Sequence, residues 1–132
     1  MRIGLTGVYV DDQEKALRFY TQVLGFAKKA DVTNGPYRWL TVASREEPNG
    51  AELKLELNAS PAARAYQQAL FEQNQPAAMF TVDDVQREYE RLKGLGANFT
   101  MPPTKVTGAT IAMLRDGCGN LLQLTALDAR RS

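Results

Sequence analysis

In the segment Glu52-Leu53-Lys54-Leu55-Glu56-Leu57, charged residues alternate with leucines. Successive side chains of a strand point to opposite faces, so Glu52, Lys54 and Glu56 share one face and the three leucines share the other. Two carboxylates flanking an ammonium either do acid–base chemistry or form a self-neutralising, solvated surface. In the first case Glu56 is the candidate catalytic residue, a general base that takes a proton from a substrate. Desolvation would strengthen such a base, and Lys54 close by would weaken it. The chain contains no histidine. Any base must therefore be a carboxylate, a lysine, a tyrosine or a cysteine, and serine–histidine or cysteine–histidine nucleophile arrangements are excluded. Cys118 is the lone cysteine and sits between two glycines in a turn, where it is either accessible or incidental. No glycine-rich phosphate loop occurs.

The same alternation organises three further strands. Leu5, Gly7 and Tyr9 oppose Val8 and Val10, and Ala77, Met79 and Thr81 oppose Phe80 and Val82. Leu121, Gln123 and Thr125 oppose Leu122 and Leu124. Grouping the faces that hold Glu52 and Lys54, Leu5, Gly7 and Tyr9, Ala77 and Met79, and Gln123 gives a mixed apolar and polar lining. Such a lining suits a ligand with a flat or apolar body and a few hydrogen-bonding groups. Trp39 joins these ligand-binding candidates: with Tyr37 it can stack on a planar ligand while Arg38 adds charge, or it is a core anchor or dimer contact. Met113, like Met101, either lines an adaptable pocket or fills core. Tyr9 either donates its hydroxyl to a ligand or is structural.

The elements that must position these residues repeat. Residues 3–10 read as a strand, and Asp11 or Asp12 caps the following helix, with Glu14 completing a capping box. Ala16, Phe19, Tyr20, Val23 and Leu24 form its apolar face, and Gly25 stops it. Strands follow at 26–31, 37–44 and 51–57. Ser60-Pro61 opens a connecting helix at about 60–74, with Ala62, Tyr66, Ala69 and Leu70 on its buried side. The pattern then restarts: Val10-Asp11-Asp12 returns as Val82-Asp83-Asp84, so positions 10 and 82 are 72 apart. A strand at 77–82 leads into a helix with Val85, Tyr89 and Leu92 on one face. Next comes a strand that Pro102-Pro103 confines to an edge or a bulge, then 106–114 broken by Gly108, and a closing strand at 121–126. The fold class is α+β: two tandem βαβββ modules, one at about 1–58 and one at about 76–127, in a single domain spanning 1–132. The carboxylate pairs Asp11-Asp12 and Asp83-Asp84 sit at strand–helix junctions and are read as caps rather than metal ligands.

Sixteen basic residues against fifteen acidic ones give a net charge of +1. No basic stretch tracks a phosphate backbone, so no nucleic-acid partner is expected. Arg130-Arg131 is expected to be a solvated tail. No apolar run reaches the roughly 20 residues of a membrane span and no signal peptide is visible, so no membrane partner is expected. A lone cysteine fits a reducing, cytoplasmic location.

The opening strand, Val10-Asp11-Asp12, a helix carrying Phe19-Tyr20, and Val23-Leu24-Gly25-Phe26 resemble the start of the vicinal oxygen chelate superfamily. That superfamily includes glyoxalase I, extradiol dioxygenases, fosfomycin-resistance enzymes and bleomycin-resistance proteins. Asp116-Gly117-Cys118-Gly119-Asn120 followed by Leu121-Leu122-Gln123-Leu124 is similar to its closing motif, usually Asp-Pro-Asp-Gly-Asn and an apolar strand. The resemblance implies paired modules curled around a central groove, often in a homodimer. It also implies four metal-ligand positions: Leu5 where histidine is usual, Glu56 where glutamate is usual, Ala77 where histidine is usual and Gln123 where glutamate is usual. Leucine and alanine supply no donor, and a catalytic divalent metal wants three protein ligands. The expectation is therefore no metal and no cofactor. A small-molecule binding protein similar to the bleomycin-resistance branch is expected, taking an aromatic or peptide-like ligand. The alternatives are a metal-independent lyase or isomerase with Glu56 as base and Tyr9, Lys54 or Gln123 polarising the substrate, or a metalloenzyme with unusual ligands.

Overall fold

Each repeat starts with a strand that ends in an aspartate cap. The side chain of Asp12 accepts from the Lys15 backbone N–H at 3.0 Å, and that of Asp84 accepts from the Arg87 N–H at 3.0 Å. Because Asp12 rather than Asp11 is the cap, Glu14 falls one residue short of the capping-box position. A computed structural model describes residues 1–129, so the Arg130-Arg131 tail lies outside the described residues. The first module is β1 (Leu5–Val10), α1 (Gln13–Arg18), β2 (Ala27–Asn34), β3 (Tyr37–Ala43) and β4 (Glu52–Leu57). A π-helical turn, Phe19–Val23, extends α1. After the linker helix α2 (Pro61–Glu72), the second module is β5 (Ala78–Thr81), α3 (Val85–Gly94), β6 (Asn98–Val106), β7 (Ala109–Arg115) and β8 (Leu121–Leu127).

The strands form two four-stranded mixed sheets of the same topology, β1-β4-β3-β2 and β5-β8-β7-β6. In each, the first and last strands of the module pair in parallel and the others antiparallel. The architecture is α+β with two tandem modules. Strand β6 runs through Pro102 and Pro103 because it is an edge, and its register slips twice there. Gly108 does not break a strand. It turns the β6–β7 hairpin at φ 79°, a backbone angle glycine adopts without penalty.

Alternation delivers the core as expected on most strands. Val8 and Val10, Leu53 and Leu55, and Leu122 and Leu124 are buried. Leu57 departs from the pattern and is 42% exposed at the end of β4. The helix-facing sides of both sheets join one core with Ala16, Tyr20 and Leu92. Each fully buried aliphatic side chain contributes about 1.5–3 kcal/mol.

The linker helix is rotated from the expected face. Ala63 and Gln67 are buried, whereas Tyr66 is 60% exposed. The reason is polar: Gln67 Nε2 donates to the backbone carbonyls of Tyr9 (2.8 Å) and Cys118 (3.0 Å) and to Asn120 Oδ1 (3.2 Å). Its own Oε1 accepts from Asn58. One amide thus ties the linker to the end of β1 and to the β7–β8 loop.

Candidate functional site

Strand register sets the candidate residues in rows. On the first sheet, Gly7 lies opposite Lys54 and Lys54 opposite Thr41. On the second, Met79 lies opposite Gln123, Gln123 opposite Met113 and Met113 opposite Met101. The spacing of 72 that relates the repeats carries Gly7 onto Met79, so the register counterpart of Gln123 is Lys54. Glu56 lies two residues farther along, opposite Tyr9. Glu56 and Gln123, the two positions the resemblance implies on β4 and β8, are therefore not equivalent in the repeat: Glu56 corresponds to Thr125, and Gln123 to Lys54. Leu5, Ala77 and Gln123 supply no imidazole and no carboxylate, and Glu56, the one carboxylate of the implied set, is paired with the Lys54 ammonium. Among the described residues no three His, Cys, Asp or Glu side chains come together as a metal site. The donor set does not suit a divalent metal.

Lys54 is the centre of a cluster. Its Nζ lies 2.5 Å from Glu56 Oε2 and 4.4 Å from the centroid of the Trp39 ring, with the Tyr37 ring at 5.4 Å. The Tyr37 hydroxyl donates to Glu56 at 3.3 Å. Burial acts to lower the Lys54 pKa, but hydrogen bonds to Glu56 and Tyr37 outweigh it and hold the group above its ordinary value. Lys54 therefore stays an ammonium, laid on an aromatic platform. Gly7 keeps the space beside it open: a Cβ at that position would sit 3.2 Å from the Lys54 carbonyl oxygen and 3.4 Å from its Cβ. Glu52 is committed to Thr41, whose hydroxyl donates to it at 2.6 Å. Arg38 does not join the cluster. It points to the helix side, where it pairs with Asp31 (2.9 Å) and Glu14 (2.6 Å) and pulls the Asp31 carboxyl down to about 2.

A hollow of about 320 Å³ lies where β1 and β4 of the first sheet meet β5 of the second, and it is mainly apolar. It gathers Gly7, Glu52, Ala77 and Met79 from the sequence-derived candidates. Tyr9, Trp39, Lys54 and Glu56 lie farther along the same face of the first sheet, and Gln123 and Met113 extend from Met79 across the second. Leu5 and Met79 are 43% and 64% exposed. Leu121 is buried although it shares the Gln123 face. Its cross-strand neighbour Arg115 stacks on Phe71 of α2, so the linker helix covers that end of the sheet.

Three participants were missed in the sequence: Thr41, which fixes Glu52; Tyr37, which touches Glu56 rather than only offering a ring; and Gln67. The repeat register would have pointed to Lys54, because it pairs the row of Gly7 with the row of Met79.

Cys118 is fully buried, which removes the accessible reading. Burial, with Asp116 nearby, pushes its thiol up to about 12. Iodoacetamide at pH 8 should leave the native protein unlabelled over an hour and label it fully in urea. Rapid native labelling would contradict this burial.

The family model described as "Glyoxalase/Bleomycin resistance protein/Dioxygenase superfamily" matches residues 2–124. The chain is 50% identical over 124 residues to the protein YurT of Bacillus subtilis (strain 168), covering 94% of this chain and 98% of that one. The crystal structure of UcmS2 superposes with a TM-score of 0.82 at 31% identity, covering 95% of this chain and 97% of that one. The structure of TnmS3, an antibiotic binding protein from Streptomyces sp. CB03234, gives a TM-score of 0.78 at 27% identity, with 97% of each chain covered.

Proposed function

Since the chain belongs to the Glyoxalase/Bleomycin resistance protein/Dioxygenase superfamily, we propose that it is a binding protein that holds an aromatic or peptide-like small molecule without a metal or other cofactor. The ligand lies on the face that carries Trp39, Lys54, Gly7 and Met79. The observation that supports this most is the make-up of the candidate face: Lys54 on the first sheet and Gln123 on the second offer donors, Leu5 and Ala77 offer apolar surface where the family resemblance implies histidines, and the set does not suit a divalent metal. Similarity to TnmS3, itself an antibiotic binding protein, supports the same reading. The alternative, a lyase or isomerase with Glu56 as base, is disfavoured because Glu56 Oε2 is already engaged by both Lys54 and Tyr37.

The reading includes a cytoplasmic homodimer with no nucleic-acid or membrane partner. Strands β1 and β5 are sheet edges, and Leu5 and Met79 on them expose apolar surface that a second copy would cover. Among the described residues no helix is long and apolar enough to cross a membrane.

Calorimetric titration of a panel of aromatic and peptide antibiotics, with EDTA present, tests the reading. At least one compound should bind saturably with Kd on the order of a micromolar or tighter. Glu56→Gln should keep that affinity within about threefold, because it retains the shape and a hydrogen-bonding oxygen. Absence of saturable binding across the panel contradicts the proposal.

A further inference from the structure

We infer that a second binding site, separate from the Trp39 face, lies between the β3–β4 loop and the start of α3, and that it takes an amphipathic organic cation: an amine or guanidine on an apolar body. The internal repeat explains why a cavity exists there. At one junction between the modules, the Tyr20 hydroxyl donates to Asp116, the Asp11 N–H donates to the Cys118 carbonyl, and Gln67 fills the remaining gap. The spacing of 72 carries Tyr9 onto Thr81, Tyr20 onto Leu92, Asp116 onto Ser44 and Cys118 onto Glu46. The phenol–carboxylate pair is thereby lost, and the linker helix that supplies Gln67 has no counterpart at this junction among the described residues. What remains at the second junction is a cavity of about 430 Å³, lined by those same four residues, Thr81, Leu92, Ser44 and Glu46.

Its floor is apolar and aromatic. Phe26 and Phe80 meet edge to face at 5.1 Å, and Leu92 and Leu124 are buried beneath. The same aromatic pair also lines the 320 Å³ hollow, so it stands between the two spaces. The charges at the mouth decide the sign of the ligand. Arg91 is held by Glu88 and the Val23 carbonyl, and Arg45 by the Gly25 carbonyl. Arg87 lies 3.8 Å from Asp84 and is directed to solvent. The Glu46 backbone N–H donates to Ser44 Oγ at 3.2 Å, but the carboxylates of Glu46 and Asp83 make no ion pair or hydrogen bond among the described residues. Three guanidiniums (Arg45, Arg87, Arg91) face four carboxylates (Glu46, Asp83, Asp84, Glu88); Arg91 is paired with Glu88 and Arg87 lies nearest Asp84, so the lining carries a net charge of −1 above aromatic rings, an arrangement that favours a cation.

Phenethylamine, 2-phenylethanol and phenylacetate share one apolar body and differ in charge. Each is titrated into ¹⁵N-labelled full-length protein and followed by amide NMR. The amine should saturate with Kd on the order of a millimolar, as expected for a ligand of its size, with shifts at Gly25, Ser44, Arg45 and Thr81. The acid should bind about tenfold more weakly or not at all, and the alcohol in between. The double variant Glu46→Gln/Asp83→Asn, both positions exposed, should weaken the amine about fivefold or more. Equal binding of acid and amine, an unchanged double variant, shifts confined to the Trp39–Lys54 face, or no saturation by the amine would each overturn the inference.

Discussion

Replacing Asp116 with alanine should destabilise the protein by about 3–5 kcal/mol, the cost of stripping a buried charged acceptor from its partners. Asp116 is 1% exposed. It accepts from the Tyr20 hydroxyl (2.7 Å), the Cys118 N–H (2.7 Å), the Asn120 N–H (3.0 Å) and Asn120 Nδ2 (2.7 Å). The loop it organises turns at Gly117 and Gly119 with φ of 74° and 100°. Asn120 and Gln67 then reach the Tyr9 carbonyl at the end of β1. Loss of the carboxylate leaves four donors without an acceptor and loosens the contact between the modules together. Tyr20→Phe removes one donor and should cost about 1–2 kcal/mol. Burial, followed by the charge of Asp116, holds the Tyr20 phenol well above its ordinary pKa, so that hydroxyl is a donor at neutral pH. Urea unfolding of both variants checks the ranking. A loss below about 1 kcal/mol for Asp116→Ala would show that the network is not what joins the modules. Total stabilities of small proteins are about 5–15 kcal/mol, so the alanine variant should lie close to the limit of folding.

Trp39→Ala should weaken ligand binding about 100-fold, the size of effect expected when an aromatic anchor is truncated. The ring does two things that alanine cannot. It offers a flat apolar surface, and it carries the Lys54 ammonium at 4.4 Å from its centroid. Without it Lys54 keeps only the Glu56 pair and loses its fixed position. Trp39→Phe retains a platform and should lose about tenfold or less. Calorimetry is the appropriate readout because Trp39 is the one tryptophan of the chain and its removal abolishes the fluorescence signal. An affinity unchanged by Trp39→Ala would place the ligand elsewhere, and the hollow beside Gly7 and Met79 would be the next position to alter.

The strands, their pairing faces and the two repeats were readable because alternation and the repeated Val-Asp-Asp junction are local signals. Val8 and Val10, Leu53 and Leu55, and Leu122 and Leu124 went where a period of two sends them. Long-range polar contacts were not readable. Gln67 looks like a solvent-facing helix residue until the carbonyls of Tyr9 and Cys118 are brought to it, and its three hydrogen bonds then outweigh the burial of Tyr66. Arg38 stands between Tyr37 and Trp39 in sequence, yet alternation within β3 sends it to the helix side, to Asp31 and Glu14. The position of Lys54 was implicit in the repeat but required the strand register, because the two β-turn loops that precede β4 and β8 differ in length. The second cavity could not be anticipated, since it reflects a linker helix present at one module junction and, among the described residues, without a counterpart at the other.

The most direct test compares one titration in two states of the protein. Untagged protein is stripped with chelator, and Trp39 fluorescence is followed as the tightest-binding aromatic antibiotic of the panel is added. The measurement is repeated after equimolar Zn²⁺, Ni²⁺ or Mn²⁺ has been supplied. Saturable quenching with the same Kd in the stripped and supplemented protein is the predicted result. Quenching that occurs only after a metal is restored would contradict metal-free binding on the face formed by Trp39, Lys54 and Met79.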